Sequence, residues 1–169
     1  MSYFIGFSTQ PENILSKIIR WFTRAKASHA IIFLNKHIIL EATEWEVKPT
    51  SWKKFKKNNS LIYKFRIKKS KREIEKALNV AMEYLNVPYD VMNIVGQIIV
   101  RTIDILFHIK IRNKWGNEAS LQCSEYMYKY LKALDIPIEI DDVESISPQF
   151  IIEFCLNNPN LFEKVPVED

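Results

Sequence analysis

An apolar stripe that begins at Cys123 constrains the fold of this 169-residue chain more than any other feature. Its members recur at helical spacing after the cysteine, as Tyr126, Met127, Tyr130, Leu131 and Leu134. Ser120 lies where an N-cap residue is expected, and Glu125 places a negative charge in the first turn. The pattern therefore predicts a helix whose first-turn cysteine faces inward, against another layer of structure.

The position of Cys123 in that helix is compatible with two roles. A thiol in the first turn lies near the positive end of the helix dipole, which favours the thiolate. A nucleophilic cysteine needs this placement, but a buried structural cysteine can share it, and the segment 121–125 alone favours the structural role. The other cysteine, Cys155, falls among bulky apolar residues late in a predicted helix, so we expect it to fill the core.

Two apolar, β-branched runs, 28–34 and 37–42, flank Asn35-Lys36 and predict a hairpin that is buried on both faces. His29 and Glu41 are polar residues inside these runs. A buried imidazole and a buried carboxylate are costly unless they satisfy each other. Taken separately they are consistent with a strand-end histidine and a solvated glutamate. Taken with Cys123 they fit a nucleophile, a base and a group that orients the base.

The length of the hairpin loop decides whether His29 and Glu41 can touch, because side chains alternate faces along a strand. A two-residue turn at Asn35-Lys36 would place them on opposite faces. A three-residue loop, either 34–36 or 35–37, places them on one face, directly opposite or diagonal. Asn35 can adopt the left-handed conformation that such loops commonly need. We therefore predict a loop of odd length or a bulge.

The rest of the chain contains further predicted strands and helices. Patterns predict a strand over 3–7, a helix from Pro11 to about residue 25, and a strand over 61–67 that follows a lysine-rich loop. Ser70 and Glu73 form a capping-box pattern, and Ser147-Pro148 is typical of a helix start.

The segment 91–109 is nearly apolar and about as long as a membrane span. Arg101 and Asp104 lie near its middle, where charges are costly in a bilayer. We therefore predict a buried or interface-lying helix, with membrane contact as the less favoured alternative.

Basic residues are concentrated in one stretch. Eleven lysines and arginines and no acidic residue lie between Lys48 and Arg72, interleaved with aromatic residues. This composition is compatible with contact to nucleic acid or an anionic membrane. It also fits a solvated loop followed by a strand whose outward positions are Lys64, Arg66 and Lys68. We favour this second interpretation. We expect at most weak, salt-sensitive contact with anionic surfaces and no specific nucleic-acid partner.

The start of the chain lacks a basic segment followed by an apolar run, so we expect no signal peptide and a cytoplasmic location, with peripheral membrane contact left open. Two cysteines fit free thiols in a reducing compartment. No His, Cys and Asp spacing fits a metal site, and three glycines provide no phosphate-binding loop. We expect no metal and no cofactor, and the sequence defines no oligomeric state.

Four short motifs, in this order, resemble a known family: Ser28-His29-Ala30, Glu41-Ala42, Tyr89-Asp90 and Cys123-Ser124-Glu125. They are similar to the circularly permuted NlpC/P60 group of papain-like proteins. That group includes YiiX-like bacterial and phage proteins and, more distantly, the lecithin retinol acyltransferase-like enzymes. Gly6, the segment 16–19 and Thr23 also resemble the group's approach to its histidine. The resemblance covers roughly residues 3–148.

The resemblance implies an α+β fold of the circularly permuted papain-like type, with a small antiparallel sheet packed on the Cys-bearing helix. It implies one domain over 1–169, with a helical insertion at about 91–117. Cys123 would be the nucleophile, His29 the base and Glu41 the group that orients the imidazole. The implied pocket residues, beyond these three, are Tyr89, Ser28 and Gln122.

The implied function is a cysteine-dependent hydrolase or acyltransferase, which acts on an amide or ester through an acyl-enzyme and requires no cofactor. Its substrate would be peptide-like or an acyl lipid. The alternative is a non-catalytic binding module on the same fold, which contacts polyanions or membrane through the basic run 48–72.

Overall fold

The computed structural model describes residues 3–23, 25–43, 45–88, 122–140 and 146–167, and its centre is a six-stranded antiparallel sheet. The elements in chain order are β1 (Phe4–Thr9), α1 (Ile14–Thr23), β2 (His29–Phe33), β3 (Ile38–Ala42), β4 (Val47–Ser51), α2 (Trp52–Phe55), β5 (Ser60–Ile67), α3 (Lys71–Met82), α4 (Cys123–Ala133), α5 (Pro148–Asn157) and β6 (Phe162–Val165). The predicted α+β class is confirmed.

The strand order is β4-β3-β2-β1-β5-β6. Strands β1 to β4 pair consecutively, and β5 then returns to the other side of β1. Strand β1 is therefore central, and its last five residues are all buried. This order places the ends of β1, β2 and β3 next to one another, which brings residues from three chain segments to one rim of the sheet.

One face of the sheet packs against the helices. Strand residues such as Ile5, Ile32 and Leu40 join one buried cluster with residues of α3, α4 and α5. The contributions of α4 to this cluster are Cys123, Tyr126, Met127, Tyr130 and Leu131. The predicted inward stripe is thus confirmed, and so is the packing of the sheet on the Cys-bearing helix. Cys155 lies in the same cluster and is 1% exposed, as expected for a core residue.

The opposite face carries a smaller apolar cluster of Ile31, Phe33, Ile39 and Phe55. The short helix α2 contributes to it, because Phe55 is buried and Trp52 is half-buried. The Lys64 amine lies 4.5 Å from the centroid of the Phe4 ring at the same face. Both faces of the β2–β3 hairpin are therefore covered, as the continuous apolar runs predict.

Helix starts agree with their capping patterns in two of three cases. The Ser70 backbone N–H donates to Glu73 Oε2 at 2.8 Å, and the Glu73 N–H donates to Ser70 Oγ at 3.3 Å. Ser147 Oγ likewise accepts the Phe150 N–H at 3.2 Å. The third expectation is wrong: the N-cap of α4 is Gln122 rather than Ser120, which lies outside the described residues.

The lysine-rich segment after residue 46 is more ordered than expected. It forms β4 and α2, where the sequence pattern predicts a loop. Strand β4 lies at the edge of the sheet. Pro49, which has no backbone N–H, is tolerated there because no further strand needs that hydrogen-bond donor. Strand β6, at the other edge, was also not predicted, because four residues with two charges carry little periodic signal.

Gly6 permits the close packing of β1 against its neighbours. A Cβ at this position would lie 2.9 Å from Leu61 Cδ1, 3.0 Å from Ile31 Cγ1 and 3.1 Å from Phe33 Cε2. We predict that Gly6→Ala lowers the free energy of unfolding by about 1–3 kcal/mol, since these side chains must shift to accept a methyl group. Urea unfolding of the variant measures this, and an unchanged midpoint would contradict it.

No helix in the described ranges is long and apolar enough to cross a membrane. The segment 91–109 and the proposed insertion 91–117 lie outside those ranges.

Candidate active site

The β2–β3 hairpin has the odd-length loop that the sequence predicts. Ile31 pairs with Glu41 and Phe33 with Ile39, which leaves Asn35, Lys36 and His37 as a three-residue loop. Asn35 does not adopt the expected left-handed conformation. The described non-glycine residues with positive φ are Asn86 and Asp135. Its Oδ1 instead accepts the backbone N–H groups of His37 at 2.8 Å and Ile38 at 2.9 Å. The side chain closes the loop.

This register places His29 and Glu41 on one face, in diagonal positions. His29 Nε2 and Glu41 Oε2 are 3.0 Å apart, and the two side chains are 17% and 10% exposed. The predicted contact between imidazole and carboxylate is therefore present, at a position largely withdrawn from water. Burial makes this contact necessary, because either group alone would lose its hydration without compensation.

Residues of β4 and α2 hold this pair from the other side. The Phe55 ring stacks on the His29 imidazole with centroids 6.2 Å apart, and Trp52 stacks on Phe55 at 5.5 Å. The Thr50 side chain hydrogen-bonds the Glu41 carboxylate. Sequence reasoning missed these contributions. The available signal was Trp52 and Phe55, spaced three residues apart in an otherwise lysine-rich stretch.

The Cys123 thiol meets the imidazole at the end of β2. Cys123 is the first residue of α4 and His29 the first residue of β2. The Cys123 side chain hydrogen-bonds the imidazole, and its Sγ lies 3.9 Å from the carbonyl oxygen of Ser28. Helix α4 packs with Ala30 and Ile32, whose side chains alternate with that of His29. The sequence predicts the thiol on the same side of the sheet as His29 and Glu41. Helix α4 instead packs on the opposite face, and Cys123 meets the imidazole beyond the start of β2.

The start of α4 is fixed by its own side chains. The backbone N–H of Gln122 donates to Glu125 Oε2 at 2.9 Å, and Gln122 Nε2 lies 3.4 Å from Glu125 Oε1. Glu125 thus places its charge in the first turn, as predicted, where the helix dipole favours it. Gln122 and Glu125 are 5% and 6% exposed, so this arrangement is buried beside the thiol.

The charge states within the trio are strongly coupled. Burial by itself lowers the pKa of His29, but hydrogen bonds to Cys123 and Glu41 outweigh burial and raise it to about 10. Burial likewise raises the pKa of Glu41, whereas the His29 hydrogen bond and charge, the Thr50 hydrogen bond and the Lys48 charge produce a net lowering. The contacts with Cys123 and Glu41 therefore favour the protonated form of the imidazole. Burial raises the pKa of Cys155, which remains a neutral thiol.

Buried hydroxyl groups tie α1 to the strand ends beneath the site. Ser16 Oγ lies 2.6 Å from Ser28 Oγ and 3.2 Å from Thr9 Oγ1. The Ser28 N–H donates to the Ser8 carbonyl at 2.9 Å. Because Ser28 also presents its carbonyl to the Cys123 thiol, this network fixes one of the groups around the sulfur.

An open cleft of about 320 Å³ lies against the imidazole and the carboxylate. Its walls come from the β1–α1 connection, the ends of β2 and β3, and the segment from β4 to residue 59. The lining residues are Gln10, Asn13, Ser16, Ser28, His29, Glu41, Ala42, Thr43, Trp45, Thr50, Lys54, Phe55, Asn58 and Asn59. His29 and Glu41 line the cleft directly, whereas Cys123 is 3% exposed and is not among the described lining residues.

The remaining predicted site residues divide into three groups. Ser28 lines the cleft, as the resemblance implies. Gln122 caps the Cys-bearing helix and belongs to the buried surroundings of the thiol rather than to the described lining. Tyr89 lies outside the described residues.

Part of the basic run is paired with acidic residues. Four of its members have acidic partners: Lys48 with Glu46, Arg66 with Glu163, Lys69 with Glu73 and Lys71 with Glu75. Phe65 and Ile67 are buried, and Arg66 and Lys68 are exposed, as the strand interpretation requires. The third predicted outward residue, Lys64, is half-buried over the Phe4 and Phe33 rings. The exposed lysines 53, 54, 56 and 57 are gathered around α2.

Within the described ranges, no three His, Cys, Asp or Glu side chains lie close enough together to hold a metal ion. Both cysteines there are free thiols. No protein-family model and no curated protein matches the chain.

Proposed function

We propose that this protein is a cysteine-dependent hydrolase or acyltransferase that cleaves an amide or ester bond through an acyl-enzyme. The observation that carries the proposal is the His29 imidazole held between the Glu41 carboxylate and the Cys123 side chain. These are the three groups of a nucleophile, its base and the orienting acceptor, drawn from α4, β2 and β3. We also infer a permuted papain-like arrangement, in which the histidine strand precedes the cysteine helix in the chain.

The first half of the reaction is acylation. The Cys123 thiolate attacks the substrate carbonyl, and the carbonyl oxygen takes up the negative charge of the tetrahedral intermediate. The backbone N–H of Cys123 lies in the first turn of α4, where the positive end of the helix dipole would help to stabilise this oxyanion. The His29 imidazolium then gives its proton to the departing amine or alcohol, and a thioester remains on Cys123.

The second half releases the acyl group. Neutral His29 takes a proton from water, or from an acceptor alcohol or amine, as that group attacks the thioester. Collapse of the second tetrahedral intermediate expels the Cys123 thiolate, which again pairs with the imidazolium. Glu41 stays ionised throughout, because it stabilises the imidazolium and fixes the ring orientation while transferring no proton. The cycle needs no metal and no cofactor, and it requires a reduced thiol, which fits a cytoplasmic location.

An electrophilic acyl probe tests the proposal. The protein is incubated with a p-nitrophenyl ester, and the acylated peptide is located by mass spectrometry at short times. We expect one acyl group on Cys123 and none on Cys155, since only the former contacts an imidazole. The Cys123→Ser variant is the matched control and should remain unmodified. Absence of an adduct at Cys123, or equal modification of both cysteines, would remove the nucleophile assignment.

The second candidate is a non-catalytic binding module, which the exposed lysines of α2 favour. A binding module would tolerate Cys123→Ser without loss of function, whereas the enzyme would not. Tight, sequence-selective nucleic-acid binding that resists salt would promote this candidate, since contacts to phosphates alone weaken steeply as salt is added.

A further inference from the structure

Among the described residues that line the cleft beside the imidazole, three carry a charge. His29 and Glu41 form the ion pair already described, and the third charged lining residue is Lys54 of α2. The remaining lining is dominated by hydroxyl and carboxamide groups, including Asn13, Thr43 and Asn58. A site for an extended acyl chain would instead be lined mainly by apolar side chains. The composition of this cleft suits a ligand that makes hydrogen bonds.

Lys54 has no acidic partner in the described part of the chain. No carboxylate there lies within 4.0 Å of its amine, although four other cations of the basic run are paired. Its neighbours Lys53 and Lys57 are also exposed and strengthen the positive potential at this wall. Glu41 does not neutralise Lys54, because its carboxylate interacts with His29 and Thr50.

We propose that Lys54 makes this cleft selective for a peptide-like substrate that carries a carboxylate. This inference rests on the proposed function for the identity of the reaction, and it adds a specificity-determining residue to that site. The carboxylate is favoured over the phosphate of a lipid because the surrounding carboxamides and hydroxyls match a peptide's N–H and C=O groups, and the apolar residues of the described lining are three: Ala42, Trp45 and Phe55.

The test uses binding, so that it does not depend on catalysis. Full-length Cys123→Ser protein is titrated, by NMR chemical shifts at low salt, with acetyl-Ala-Glu-amide and with its neutral counterpart acetyl-Ala-Gln-amide. We expect the acidic peptide to bind about threefold to fivefold more tightly, as for a solvent-exposed ion pair. Lys54→Gln should abolish that difference and leave the affinity for the neutral peptide unchanged. Lys76→Gln, which removes an exposed charge from α3, should preserve it.

Equal binding of the two peptides, or equal effects of Lys54→Gln and Lys76→Gln, would overturn the proposal. Dihexanoyl-phosphatidylglycerol and dihexanoyl-phosphatidylcholine provide a second matched pair. If Lys54 produces a preference for phosphatidylglycerol but none for the acidic peptide, the proposed carboxylate ligand is wrong and a lipid phosphate replaces it. If the acidic peptide binds as expected but Cys123 forms no acyl adduct, the carboxylate subsite stands and the proposed reaction fails, so the two failures are distinguishable.

Discussion

Cys123→Ser is expected to lower the rate of acyl-probe turnover by at least about 10³-fold, because a serine hydroxyl at this position remains protonated where the thiol forms a thiolate. His29→Gln should cause a comparable loss, since nucleophile and base act as one unit and their effects are not additive. Glu41→Gln should cause an intermediate loss, because the imidazole keeps its contact with Cys123 but loses its charged partner. Steady-state hydrolysis of p-nitrophenyl esters measures all three.

Cys155→Ser is the internal control for thiol chemistry, because Cys155 is buried in the core and burial raises the pKa of its thiol. Its turnover per folded molecule should equal that of the wild type, whatever its effect on stability. Circular dichroism of each variant separates loss of chemistry from loss of fold. Turnover by Cys123→Ser within tenfold of the wild-type rate would contradict the assignment of the nucleophile.

The second large effect concerns the pH dependence of thiol alkylation. We predict that iodoacetamide labels Cys123 rapidly at neutral pH and below, whereas an ordinary thiol reacts only as the pH approaches about 8.5. Cys155 should react slowly throughout, because burial raises its pKa and blocks access. Labelling rates at each site, followed by mass spectrometry between pH 4 and pH 11, provide the comparison. Slow labelling of both sites with a midpoint above about pH 8 would contradict the prediction.

The alkaline limit follows from the sign of the His29 shift. Its pKa is raised from 6.5 to about 10, so the imidazolium that pairs with the thiolate persists through neutral pH and is lost only as the pH rises through about 10. Acyl transfer should decline in the same range, because the leaving group then finds no proton donor. Glu41→Gln removes one of the interactions that raise this pKa, and the alkaline limit should move to lower pH. An unmoved limit would show that Glu41 does not act on the imidazole.

The sequence by itself determined the local elements of this protein, because their signals are local. The stripe after Cys123, the capping box at Ser70 and the start of α5 at Ser147-Pro148 follow from side chains within one helical turn. The odd length of the β2–β3 loop could also be predicted from the sequence. His29 and Glu41 can form a contact with each other only if they lie on the same face of the hairpin.

Only the tertiary structure decided how these elements come together. Strand order, the edge strands β4 and β6, and the passage of β5 beside β1 depend on pairing between distant segments, which no local pattern encodes. The same holds for the surroundings of His29, where Phe55 and Thr50 come from a segment whose lysines suggest a solvated loop. Even the contact of Cys123 with His29 is made around a strand end, because α4 packs on the opposite face of the sheet. Alternation along a strand fixes its faces, but only the packed helix determines which side chains meet beyond its end.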